Sequence, residues 1–315
     1  MNKKRVKPYV VAGVLTVLYV VEIFWLSDVL GSNLGIGGTV LHEVVLALIG
    51  IMVFVIMRGK LKKIFPLKRP EFKKLAGTIV LWLGAYIGTM VITMILAYFF
   101  PEEVMGASQE MEEVIMELPI VVSLLVVAVT PAICEEVAFR GALLSCFRGI
   151  KNRWAGIIIV AIIFGACHGS VWRMLPTMLL GIAMGYLLFE TENIIYPMLF
   201  HFVNNAWPVI LLAVTNGLMS SAGLEEMSEA VLGGAMEVPF ATVAMYLMYS
   251  GVAPLLIYVA NYLLHSGQDG YNQGLFPREK RKTMIILIVI AVGMFLVGAI
   301  LTGISIALDP RFYLG

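Results

Sequence analysis

Thr130-Pro131-Ala132-Ile133-Cys134-Glu135-Glu136-Val137-Ala138-Phe139-Arg140-Gly141 is the stretch that decides how this chain is read. It lies inside an apolar run from Leu118 to Phe147, long enough to cross a bilayer, yet it carries two adjacent carboxylates and a guanidinium. Charged groups at membrane depth are costly, turn toward a bundle interior or a wet cavity, and mark function by default. If the run is one helix, Glu136 and Arg140 stand four residues apart with the acid first, the favourable order for a same-face ion pair. Glu135 is turned about 100° away from them. The spacing therefore predicts a division of labour in which Arg140 clamps Glu136 structurally and Glu135 offers a free carboxylate to a cavity.

The composition agrees with a membrane setting for that run. Hydrophobic residues make up 60% of the 315 and charged residues 14%, with a mean hydropathy of +0.92, far from the roughly 25% charged of a soluble domain. Apolar runs occur at about 8–30, 38–57, 76–100, 118–147, 154–168, 174–190, 194–218, 239–264 and 283–308, close to the ~20 residues a spanning helix needs. They show no dyad alternation, so the expected class is all-α, a polytopic membrane bundle of about eight or nine transmembrane helices. One integral membrane domain is expected over residues 1–315. It would comprise N-terminal helices at 1–100, a core at 118–218 and a C-terminal helix pair at 239–308. The basic N-terminus resembles a signal peptide, but its apolar run is too long and lacks a small-residue cleavage site, so it is read as a retained first span.

Four basic groups, Lys3 to Lys7, Arg58 to Lys74, Arg148 to Arg153 and Arg278 to Lys282, hold all but three of the 22 Lys and Arg. A nine-span chain places all four on one side, which the positive-inside rule makes the cytoplasm, with the N-terminus there. A prokaryotic plasma membrane is the expected location. The segments Glu102 to Glu117 and Glu225 to Glu237 are acidic and read as surface-lying or partly helical on the other side. With a net charge of +1 and no basic cluster interleaved with aromatics, nucleic acid is not an expected partner. The lipid bilayer and a membrane-associated peptide or protein are.

Of the four histidines, His168 closes Phe164-Gly165-Ala166-Cys167-His168, and His201 opens His201-Phe202-Val203-Asn204-Asn205. His201 and Asn205 share a helix face. Counting residues from the basic side puts Glu135 and His168 at similar depth, about 20 Å in, so they can face each other. His42 and His265 read as interfacial. Singly, such residues are often interhelical hydrogen-bonding glue, worth about 0.6–2 kcal/mol. Two Glu, one Arg, two His and an Asn in four neighbouring spans are too expensive for glue alone. Cys134, Cys146 and Cys167 lack metal-type spacing and read as small buried hydrophobes. No internal repeat is evident, which counts against an inverted-repeat transporter.

The segments Glu135 to Arg140, Phe164 to His168 and His201 to Asn205 resemble the three signature motifs of the CPBP family of intramembrane proteases, EExxxR, FxxxH and HxxxN. That family includes the type II CAAX prenyl endopeptidases and bacterial proteins linked to bacteriocin processing and self-immunity. The resemblance implies a peptide hydrolase in which Glu135 and His168 activate water, with His201 and Asn205 as oxyanion donors. Chemically this requires a carboxylate able to take a proton near neutral pH, and each oxyanion donor can be worth about 10²–10³ in rate. Glu135, His168 and His201 could instead hold a divalent metal such as Zn²⁺. Both mechanisms stay open, as do a silent peptide-binding or immunity role and, further off, a proton-coupled transporter. A cavity between the fourth, fifth and seventh spans, reached from the cytoplasmic leaflet, is expected.

Overall fold

A computed structural model describes residues 7–221, 238–268, 271, 274, 275 and 277–308. Among them every regular element is helical. Eight helices are long and apolar enough to cross a membrane, and a ninth, of 14 residues, is shorter. Together with the less apolar Pro101–Met116 helix they are labelled in chain order α1 (Pro8–Leu34), α2 (Ile36–Ile56), α3 (Phe72–Phe99), α4 (Pro101–Met116), α5 (Ile120–Leu143), α6 (Arg153–Ala166), α7 (Val171–Thr191), α8 (Ile195–Ser221), α9 (Phe240–Leu264) and α10 (Arg281–Leu308). The chain is thus an integral, multi-pass membrane protein. The acidic segment after α3 is the amphipathic α4, whereas the Glu225 to Glu237 segment lies outside the described residues.

The basic connections gather at one end of the bundle. Arg148 donates to the carbonyls of Lys63 and Ile64, and Asn193 Nδ2 donates to the Lys68 carbonyl at 2.9 Å. The Tyr196 hydroxyl receives the Glu71 amide at 2.9 Å, and Lys73 reaches Ser266 at 3.1 Å. At the opposite end Phe100 packs on Trp172 with ring centroids 4.4 Å apart. This sorting is what alternating spans require, and it fixes that the α1–α2 and α6–α7 turns share the end away from the basic loops.

Helices in lipid gain little from burying one more leucine, so close approach through small residues sets their packing. Gly50 of α2 lies where a Cβ would come within 2.7 Å of the Tyr19 hydroxyl and 3.0 Å of Ala142. That contact draws α1, α2 and α5 together, and Tyr19, fully buried, donates to the Ala138 carbonyl at 3.1 Å. Gly165 of α6 likewise faces the Met174 carbonyl, which a Cβ would meet at 2.6 Å, and so seats α7 on α6.

Three stretches depart from α geometry into π turns, at Glu22–Leu26 in α1 and at Leu124–Val129 and Glu136–Leu143 in α5. Such turns are rare and concentrate at functional sites. Two of the three begin at a buried glutamate. In α5 a proline contributes a second irregularity, because Pro131 has no N–H to return to the helix and its ring displaces the carbonyl one turn back. Asn205 Nδ2 of α8 takes the Val127 carbonyl at 3.1 Å. A backbone acceptor that would otherwise lie unsatisfied in lipid thus ties α8 to α5.

Candidate active site

The clamp on α5 has the geometry its spacing suggests. Arg140 Nη1 donates to Glu136 Oε1 at 2.8 Å, and both side chains are fully buried. The guanidinium also reaches the Gly181 carbonyl of α7 through Nη2 at 3.3 Å and lies 4.1 Å above the Phe164 ring. A side chain at 181 would crowd it, since a Cβ there would stand 3.2 Å from Nη2. His201 adds a second donor, its Nδ1 lying 2.9 Å from the same Glu136 oxygen. Glu136 Oε1 is therefore held from two helices at once, while its Oε2 is buried without a hydrogen-bond partner.

Glu135 is left on the other side. Its Oε2 is buried without a hydrogen-bond partner and stands 3.9 Å from His201 Nε2. It lines a cavity of about 90 Å³ together with Ile23, His42, Leu46, Phe139, Cys167 and His168. The turn that ends α6 aims His168 here: Nδ1 and the Phe164 carbonyl are 2.8 Å apart. Since a carbonyl can only accept, that bond puts the proton on Nδ1 and leaves Nε2 a bare lone pair. Phe164 packs edge-on against both His168 and His201, with centroids 4.8 and 6.0 Å away, so one ring orients two imidazoles.

The motif residues are thus brought together, but the surroundings differ from expectation in three respects. The cavity lies between α1, α2, α5 and the turn after α6, rather than between the fourth, fifth and seventh spans, because α8 uses His201 and Asn205 to hold the back of α5. Asn205 is engaged with Val127 and receives Asn204 Nδ2 on its own Oδ1 at 3.2 Å, while Asn204 lines a separate cavity between α3, α7 and α8. His42 and His265 each carry a carboxylate partner within the bundle. His265 is buried with Nε2 2.7 Å from Glu190, which also pairs with Arg153 at 2.6 Å. His42 joins the cavity.

Sequence reasoning passed over His42 and its neighbours Glu22 and Glu43. The signal was present, since Glu22 lies mid-way along the first span and Glu43 in the second, where the same expense in lipid applies. Among the described residues no three His, Cys, Asp or Glu side chains converge in a metal-binding arrangement. Glu135, His168 and His201 are accordingly not gathered as a ligand set as they stand, although His201 Nδ1 is held by Glu136 and its Nε2 stands 3.9 Å from Glu135.

With Glu135, His168 and His201 assembled around one buried acid, comparison with known families becomes informative. Residues 117–207 match a family model described as type II CAAX prenyl endopeptidase Rce1-like. No curated protein and no solved structure matches the chain. The Rce1-like segment runs from the start of α5 into α8 and contains all three motifs, in agreement with the CPBP resemblance. It covers less than a third of the chain. Helices α1 and α2, which supply Ile23, His42 and Leu46 to the cavity, lie outside it.

Proposed function

We propose that the chain is an intramembrane endopeptidase that hydrolyses a peptide bond in a membrane-associated peptide or protein, with Glu135 and His168 activating the attacking water. The observation that carries this reading is the small cavity shared by a partnerless Glu135 oxygen and by His168. A cavity of about 90 Å³ admits water and is too small for a peptide, so it holds a nucleophile and leaves the substrate carbonyl to arrive at its edge. Glu135 takes the water proton as general base, and His168 Nε2 accepts a hydrogen bond from the same water and orients it. His201 keeps Nε2 beside Glu135 and, with its Nδ1 proton held by Glu136, donates to the oxyanion that forms there only as an imidazolium. Asn205 reaches that oxyanion only by releasing Val127. Glu136 and Arg140 hold α5 in place and touch no substrate.

The Rce1-like match supports peptides ending in a prenylated cysteine box as the first substrates to try. The test is to incubate the purified chain in liposomes with such a peptide, and with its unprenylated form, in ¹⁸O-water and to weigh the products. A single internal cut with ¹⁸O in the new carboxylate is expected. Tight binding of a peptide that is never cut would turn the reading toward a silent binding or immunity protein.

A further inference from the structure

The Rce1-like motifs account for Glu135 and His168 but leave the third polar wall of their cavity unexplained. That wall is His42 of α2. Its Nδ1 is 2.9 Å from Glu22 Oε1 of α1, and its Nε2 is 3.5 Å from Glu43 Oε1. Glu22 is 2% exposed and Glu43 6%, and each has its second carboxylate oxygen buried with no partner. Glu43 stands near enough to Glu135 for the two carboxylates to act on each other electrostatically. Two helices outside the family-matched segment thus each contribute a carboxylate to one imidazole, at a depth where an isolated charge is heavily penalised. The π turn of α1 begins at Glu22 itself, and turns of that kind re-aim side chains at sites. A purely structural tie between α1 and α2 would need one pair; it would not need a histidine facing the cavity with a carboxylate at each ring nitrogen.

We propose that His42, oriented by Glu22, is a further catalytic residue, the proton donor to the leaving amine. This rests on the hydrolase reading above. Glu135 takes one proton from water, and the hydroxide adds to the carbonyl carbon. As the C–N bond breaks, the departing nitrogen takes a proton from His42 Nε2. The proton held by Glu135 then passes through Glu43 back to His42, so one water is consumed, a carboxylic acid and an amine are formed, and nothing is oxidised or reduced. An imidazole with a carboxylate at each nitrogen can donate from both, and the groups that face it are Glu22 and Glu43 alongside, with Glu135 and His168 across the cavity. His201 is not needed as the acid, its Nδ1 being tied to Glu136.

The full-length chain in detergent carries the test. Against the peptide that wild type cuts, H42A should lower kcat by about 10²-fold or more, the usual contribution of a positioned acid, with KM within about threefold. Free imidazole should restore part of that loss, and E22Q should fall between wild type and H42A. A kcat for H42A within threefold of wild type, or a loss that imidazole leaves untouched in a folded protein, would overturn the assignment. A second readout needs no substrate. In ¹⁵N-histidine NMR spectra the His42 ring signals should move on E135Q, because the two share a proton path through Glu43. Unmoved signals would overturn that path even if no cleavable peptide were found, whereas the loss of all cleavage in wild type with coupled signals would overturn the hydrolase reading and leave the coupling standing.

Discussion

Glu136 and Arg140 are a buried pair whose separate removal should cost more than the pair is worth. Leaving either charge unanswered in low dielectric costs about 3–5 kcal/mol, so E136A and R140A should each lower the thermal unfolding temperature sharply in detergent. The double change to Leu and Met should recover part of the loss, because a packed apolar pair avoids the desolvation penalty. Recovery should be incomplete, since His201 Nδ1 would lose its acceptor. Single variants as stable as wild type would refute the clamp. At this scale the sequence was informative for α5, α6 and α8, where spacing alone paired Glu136 with Arg140 and brought Glu135 and His168 to one depth. It placed Asn205 on the His201 face but was silent on its partner, a carbonyl freed by a proline seventy-four positions earlier in the chain. Backbone acceptors leave no mark of their own in a sequence.

Among the elements, the α6–α7 hairpin is the most sensitive lever on the site. Gly165 is three residues before His168, and a Cβ there would meet the Met174 carbonyl at 2.6 Å, a backbone atom that cannot swing aside. G165A should therefore part the two helices near their turn, cost about 1–3 kcal/mol as overpacking does, and reduce cleavage more than tenfold by moving the imidazole. The control is G298A on the far side of the bundle, where α10 meets the Met248 amide and a Cβ would stand at 2.5 Å from it. It should destabilise by a similar amount and leave kcat nearly unchanged. Equal activity losses in both would mean that His168 position is not what matters. The helices themselves were readable from apolar run length, including the short sixth one. Their π turns were not, because these arise where tertiary contacts on α1 and α5 compete with the i to i−4 ladder, and a hydropathy pattern does not record that competition.

For the whole molecule, the connectivity orders the two ends of the bundle. The basic loops bind one another at one end, and the Gly35 and Gly169 turns lie at the other. His42 is seven residues from Gly35, about 10 Å at 1.5 Å per residue, and His168 sits in the turn after α6. The cavity is thus nearer the end away from the basic loops along two of its walls, and entry from that end, rather than from the cytoplasmic leaflet, is the expected outcome. Single cysteines at His42→Cys and His168→Cys, in a background lacking Cys134, Cys146 and Cys167, should react with an impermeant maleimide from the face opposite Lys62 and Lys63. Reaction only from the Lys62 face would restore the earlier expectation. The gathering of the basic loops at one end was legible because charge sorts across a membrane. The wall of the cavity built by α1 and α2 was not, since nothing in a linear chain says which distant helices will lean on a motif.

The most direct measurement of the central proposal is the cleavage rate of purified E135Q against wild type, on one peptide and in one detergent, with the unfolding temperature of each recorded beside it. Glutamine keeps the size of the side chain and removes its ability to take a proton. The expected result is a loss of at least about 10²-fold, within the range a general base supplies, at an unfolding temperature equal to or above that of wild type. E135Q cutting at the wild-type rate would contradict it.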